Sequence, residues 1–232
     1  MKIRHTLAQT LLLAALLATA SPAARAAPKA PPQAPPEASL AAAEGLPRLL
    51  SHVQPGDESD FGFADAAETL EAQLLPPFLL HALAPDALRA WTPADPTSSL
   101  LSPTAMWYFP VAVRGSVRCV LVVDKTPSGW EAVSLGYAPL AASLDALLRA
   151  WPGTGDSRPV LAASFQAREY LFHVPSHPEP NLTILETALP GTARRSPPPP
   201  RALQNPADVV ARLLPAVEQN LAEFGPPNGG AQ

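Results

Sequence analysis

Proline sets the limits on where this chain can build regular structure. It supplies 31 of the 232 residues, more than twice the usual share of about 5%. Each proline fixes φ and lacks an amide N–H, so it disfavours helix interiors and central strand positions. The prolines are clustered. PKAPPQAPPEA begins at Pro28, and SPPPP runs from Ser196 to Pro200. Such stretches favour extended polyproline II and build no core, so they read as spacers, with docking to an aromatic-lined groove as the alternative.

The spacers divide the chain into a leader at 1–26, a proline-rich spacer at 27–39, an α+β domain at 40–190, a linker at 191–204, a C-terminal helical segment at 205–225 and an unstructured tail at 226–232. The leader MKIRHTLAQTLLLAALLATASPAARA carries Lys2 and Arg4, an apolar run from Leu11 to Ala18 and small residues through Ala24-Arg25-Ala26. That order is the layout of a secretory signal peptide cleaved after Ala26. The run is shorter than the ~20 apolar residues that span a bilayer, so no membrane insertion is expected after cleavage. The expected destination is the periplasm of a bacterium or the outside of the cell.

Cleavage removes Lys2, Arg4 and Arg25, taking 16 basic residues to 13 against 20 acidic ones, a net charge of −7. A chain this acidic is a poor partner for nucleic acid or anionic membranes. A protein or peptide partner fits better. The single cysteine, Cys119, allows no internal disulfide, and its neighbours Val117, Val120, Leu121 and Val122 mark it as a small core residue.

Between the spacers the apolar period changes. Phe63, Ala67, Leu70 and Leu74 fall at helical spacing up to Pro76-Pro77, a second helical piece is expected over 78–83, and a third opens on Pro85 and carries Leu88 and Trp91. From Met106 the period is two. Trp107, Phe109, Val111 and Val113 share one strand face, Arg114-Gly115-Ser116 makes a turn, and strands follow at 117–124 and 130–135. Leu140, Leu144, Leu147, Leu148 and Trp151 then mark a helix that covers the sheet. Strands at 160–165 and 170–174 complete the domain, and 182–185 is a further candidate. The expected class is α+β: a small antiparallel sheet in the order β-β-β-α-β-β with one covering helix, preceded by short helices and followed by the C-terminal segment.

That segment starts with Asn205 as N-cap and Pro206 at the first helical position. Val210, Leu214, Val217, Leu221 and Phe224 share one face, and Pro215 predicts a kink or two short helices. The segment either packs on the domain or hangs free as a partner-binding helix. Its apolar face, with Tyr108 and Trp130 of the sheet, forms the candidate partner surface.

The chemistry-bearing residues point away from catalysis. His173 and His177, in FHVPSHPEP, have the spacing that binds metal on a helix, but Pro175, Pro178 and Pro180 forbid a helix there. In an extended chain they lie about 13 Å apart, too far for one zinc with bonds of about 2.1 Å. The acidic stretch with Asp57, Glu58, Asp60 and Asp65 lacks the alternating ladder of a calcium loop. No G-x-S-x-G elbow is present, and Asn181-Leu182-Thr183 is a formal glycosylation acceptor. No catalytic residue, metal or cofactor is assigned. The reading is an exported, non-enzymatic binding protein. The alternatives are an exported hydrolase assembled from dispersed His52, His81, His173, Ser102 and aspartates, and a structural component of the cell envelope.

Overall fold

The computed structural model describes residues 33–153, 155–185 and 202–225. The leader, residues 27–32 and 191–201 of the two spacers and the tail lie outside these. Among the described residues the fold is mixed α+β, with eight strands in one mostly antiparallel sheet and five α-helices.

Helix α1 (Pro36–Leu50) opens the fold. Pro36 stands at the first turn, where its missing N–H costs nothing, and Glu37 follows at the positive end of the helix dipole. The spacer expected through residue 39 therefore ends earlier, because a proline that blocks a helix interior also starts a helix. Ala38, Ala42, Gly45 and Leu46 form its buried stripe.

The helix expected from Phe63 shrinks to α2 (Ala66–Leu70), capped by Asp65, whose carboxylate accepts from the amides of Ala67 and Glu68. Gln73–Leu74 pairs instead as the short strand β1. The helix expected over 78–83 is a correction of type, since Phe78–Ala82 forms strand β2. A short apolar run carries no period of its own, and here the centre of the sheet decided it. Helix α3 (Pro85–Ala90) follows.

The meander then runs through β3 (Ser102–Val113), β4 (Ser116–Thr126) and β5 (Gly129–Gly136). Arg114 and Gly115 link β3 to β4 with φ of 50° and 78°. Two residues at positive φ make a hairpin turn whose twist suits the strands. Helix α4 (Ala138–Ala150) crosses back over β4, burying Leu140, Leu144 and Leu147, each worth about 1.5–3 kcal/mol. Strands β6 (Val160–Ser164), β7 (Glu169–His173) and β8 (Leu182–Leu185) close the sheet.

The strand order is β5-β4-β3-β2-β6-β7-β8, with β1 alongside β3. Every pairing is antiparallel except β2 with β6. Outside β8, Gln204 bridges to Leu182. Helix α5 (Pro206–Phe224) runs unbroken through Pro215, so the expected division at that residue does not occur. Asn205 caps it by accepting from the amide of Ala207 at 2.9 Å, as the sequence implies.

The sheet has a core on each face. On one face α4 packs with Phe78, Leu80, Tyr108, Val122, Leu161 and Phe172. The other face has two separate clusters. Helix α1 covers the β4–β5 end with Trp107, Phe109, Val111 and Val113, the four residues that alternation put together. Helices α3 and α5 cover the β7–β8 end with Ala162, Leu171, Ile184, Val209, Val210, Leu213 and Val217. One covering helix was expected, and the sheet is larger and covered on both sides.

Candidate functional site

Strand β2 lies between those two clusters. Leu79 pairs with Trp107 of β3, and His81 pairs with Ala162 of β6, so both side chains project on the face shared by α1 and α5. Both remain half-buried. The start of β2 borders a cleft of about 130 Å3 that takes in Phe78 of the α4 face as well and is lined by Pro77, Phe78, Leu79, His81, Arg158, Pro159 and Val160. Two X-Pro steps build its rim, since Pro77 and Pro159 hold the chain extended as it enters β2 and β6.

Arg158 is the cation of this cleft. Its Nη2 donates to the carbonyl of Pro76 at 2.8 Å, and its guanidinium carbon lies 4.6 Å from the ring centroid of Phe78. A planar guanidinium held at one edge and stacked on one face has few rotamers left. Burial lowers its pKa from the usual arginine value, which marks a cation short of solvation. His81 faces the same space. Its Nδ1 lies 3.1 Å from the carbonyl of Leu79, so that nitrogen carries the proton, because a carbonyl only accepts. Burial holds the ring below the ordinary histidine pKa, against the upward pull of the Leu79 and Leu161 carbonyls. At neutral pH the cleft thus combines apolar walls, one arginine and one neutral imidazole.

The other chemistry-bearing residues are taken up by the fold. His173 is buried, with Nδ1–H donating to the carbonyl of Asn181 at 3.2 Å. Burial depresses its pKa, and the proximity of His81 adds to the effect. His177 is exposed, its Nδ1 within 2.6 Å of the Pro178 carbonyl. The two histidines of FHVPSHPEP therefore occupy different environments. Among the described residues no three His, Cys, Asp or Glu side chains converge as a metal site.

Cys119 is fully buried, and burial pushes its thiol up to about 12, so it is an unreactive core residue. Asp65 and Glu58 cap local backbone amides. Glu68 is buried, accepting from Arg118 at 2.6 Å and from the Ala64 amide at 2.8 Å. Asn181 is buried with its Oδ1 taking the Thr97 hydroxyl at 3.1 Å, so its amide is not offered for glycosylation in the folded protein. His52 and Ser102 are exposed and lie on different segments, 50–52 and the start of β3.

The candidate partner surface does not assemble as a set. Tyr108 is only 3% exposed, with its hydroxyl 3.0 Å from that of Tyr170 and its ring 6.4 Å from that of Tyr137. Trp130 sits half-buried on the opposite face, with Lys125 Nζ 6.0 Å from its ring. Val210 and Val217 are buried under α5, Leu214 and Leu221 flank the same cluster, and Phe224 is 65% exposed. Arg158 had no signal in the sequence, being a lone arginine in a loop. An Arg-Pro step placed directly before an apolar strand is the feature that marks it in hindsight.

No protein-family model matches this chain, and neither the curated proteins nor the solved structures contain a significant match to it.

Proposed function

We propose that this is an exported, non-enzymatic protein whose α+β domain binds a protein or peptide partner, in the periplasm or outside the cell, through the cleft at the start of β2 and β6. The scale and lining of that cleft carry the reading. Pockets that enclose independent small molecules run to about 300–1,000 Å3. At about 130 Å3 this one takes a single side chain, which is the way a polypeptide anchors itself. Its lining of Pro77, Phe78, Leu79, His81, Arg158, Pro159 and Val160 includes no serine, aspartate or glutamate, so a histidine-assisted hydrolysis finds no partner for His81 there.

The export leader and the acidic charge support the same reading from the sequence. The test is a photo-cross-linking residue placed at Leu79 in the native host, beside one at Leu40, which is exposed on α1. A defined protein band from position 79 that is absent from position 40 is the expected result. Equal labelling at both, or none at 79 with a folded protein, removes the cleft as the binding site.

A further inference from the structure

The cleft has a more specific chemistry, which rests on the peptide-binding reading above. We propose that it receives the C-terminal residue of a partner polypeptide, the free terminal carboxylate meeting Arg158 and an aliphatic side chain lying against Pro77, Leu79, Pro159 and Val160.

Three features of the site select this ligand. The first is charge. No ion pair of Arg158 appears among the described residues, and its fork of five N–H donors gives one to the Pro76 carbonyl. A carboxylate is the group whose geometry matches the rest of such a fork. The stack on Phe78 holds the guanidinium in place before any ligand arrives, which lowers the ordering cost of binding. The half-buried setting also screens the charge less than bulk water does.

The second feature is volume. At about 130 Å3, the cleft lies well below the about 300–1,000 Å3 of pockets that enclose whole small molecules and is of a size for one side chain. The third is the mixture of polarities within that small space. An internal aspartate or glutamate would bring a carboxylate but leave four apolar walls against water. An internal leucine would fill the walls but leave the arginine without an anion. A C-terminal aliphatic residue carries both groups on one Cα and satisfies both, which is the economy of carboxylate-terminus recognition.

The experiment titrates the isotopically labelled protein with three probes and follows the NMR signals of Leu79, Val160 and the Arg158 side chain. The probes are acetyl-Gly-Gly-Ala-Leu with a free terminus, the same peptide as its C-terminal amide, and acetyl-Gly-Gly-Asp-Ala-amide, whose only carboxylate is on a side chain. The free acid shifts these signals and binds about tenfold or more tightly than either other probe. Arg158→Gln removes that preference while the rest of the spectrum stays that of a folded protein, and Arg158→Lys keeps part of it. Equal binding of acid and amide overturns the terminal-carboxylate inference and leaves the peptide reading standing. Equal binding of the aspartate probe overturns the choice of a terminus. If no probe moves the cleft signals, the inference falls, and the peptide reading is decided separately by the cross-linking at Leu79.

Discussion

The two ends of one sheet face are covered by helices of different kinds. At the β4–β5 end, α1 presents Ala38, Ala42 and Gly45, and the helix comes so close that a Cβ on Gly45 would meet that of Ala132 at 2.1 Å. Arg48 also donates to the Ala132 carbonyl at 2.8 Å, covering part of the edge strand that would otherwise invite pairing. At the β7–β8 end, α5 presents Val209, Val210, Leu213 and Val217, and larger branched side chains fill the gap. Close approach stabilises one end and side-chain volume the other. Strand β2 lies between these two differently built covers, with Leu79 at the margin of the α1 cluster and, together with His81, lining the cleft.

The largest loss of stability comes from the α5 side. Leu213→Ala deletes a buried side chain from the end that relies on volume, and costs about 2–5 kcal/mol. Denaturant unfolding gives that loss, and amide exchange accelerates first in β7 and β8. If exchange rises equally in β4 and β5, the two ends form one cooperative unit and the contrast drawn here is only geometric.

On the α1 side the change runs the other way, because adding atoms does the damage. Gly45→Ala overpacks the helix against β5 and costs about 1–3 kcal/mol. Ala132→Gly in the same chain makes room and recovers most of it. A double-mutant cycle that is simply additive would mean that α1 shifts freely and that its close approach is not what holds it.

The smallest effect comes from the two partly or fully buried histidines, His173 and His81. The folded pKa of His173 is lowered by burial, so its contribution is present above the unfolded value of about 6.5. It is lost as pH falls from there toward the folded value, because the unfolded chain takes up the proton first. The slope cannot exceed about 1.4 kcal/mol per pH unit for one site. Stability measured from pH 7.5 to 5 declines in this range, and His173→Gln flattens the decline, with His81 supplying the remainder.

How much of this was legible in the sequence depended on whether a residue's neighbours in sequence were also its neighbours in space. Trp107, Phe109, Val111 and Val113 alternate along a strand paired with the next one in sequence, so their period gives away both strand and face. The stripe Leu140, Leu144 and Leu147 marks α4 for the same reason, and Asn205-Pro206 marks the start of α5 by local capping alone. Phe78–Ala82 shows no such period. Its identity as a strand depends on β6, with His81 opposite Ala162. The candidate site inherits that difficulty, since Phe78 and Arg158 stack on each other from segments that share no local pattern. Tyr108 illustrates the converse. Placed by the sequence on the candidate partner surface, it is buried, with its hydroxyl 3.0 Å from that of Tyr170, three strands away in the sheet.

The parallel pairing of β2 with β6 has a kinetic consequence. The hairpins β3–β4 and β6–β7 join residues close in sequence and close small loops, whereas joining His81 to Ala162 closes a loop of some eighty residues, and such contacts form late. The seam they make is also the floor of the cleft. A ligand held there by Arg158 and Leu79 would bind only chains whose two halves have already joined, and by mass action it would slow their parting. Occupancy of the cleft would then report that the chain has finished folding.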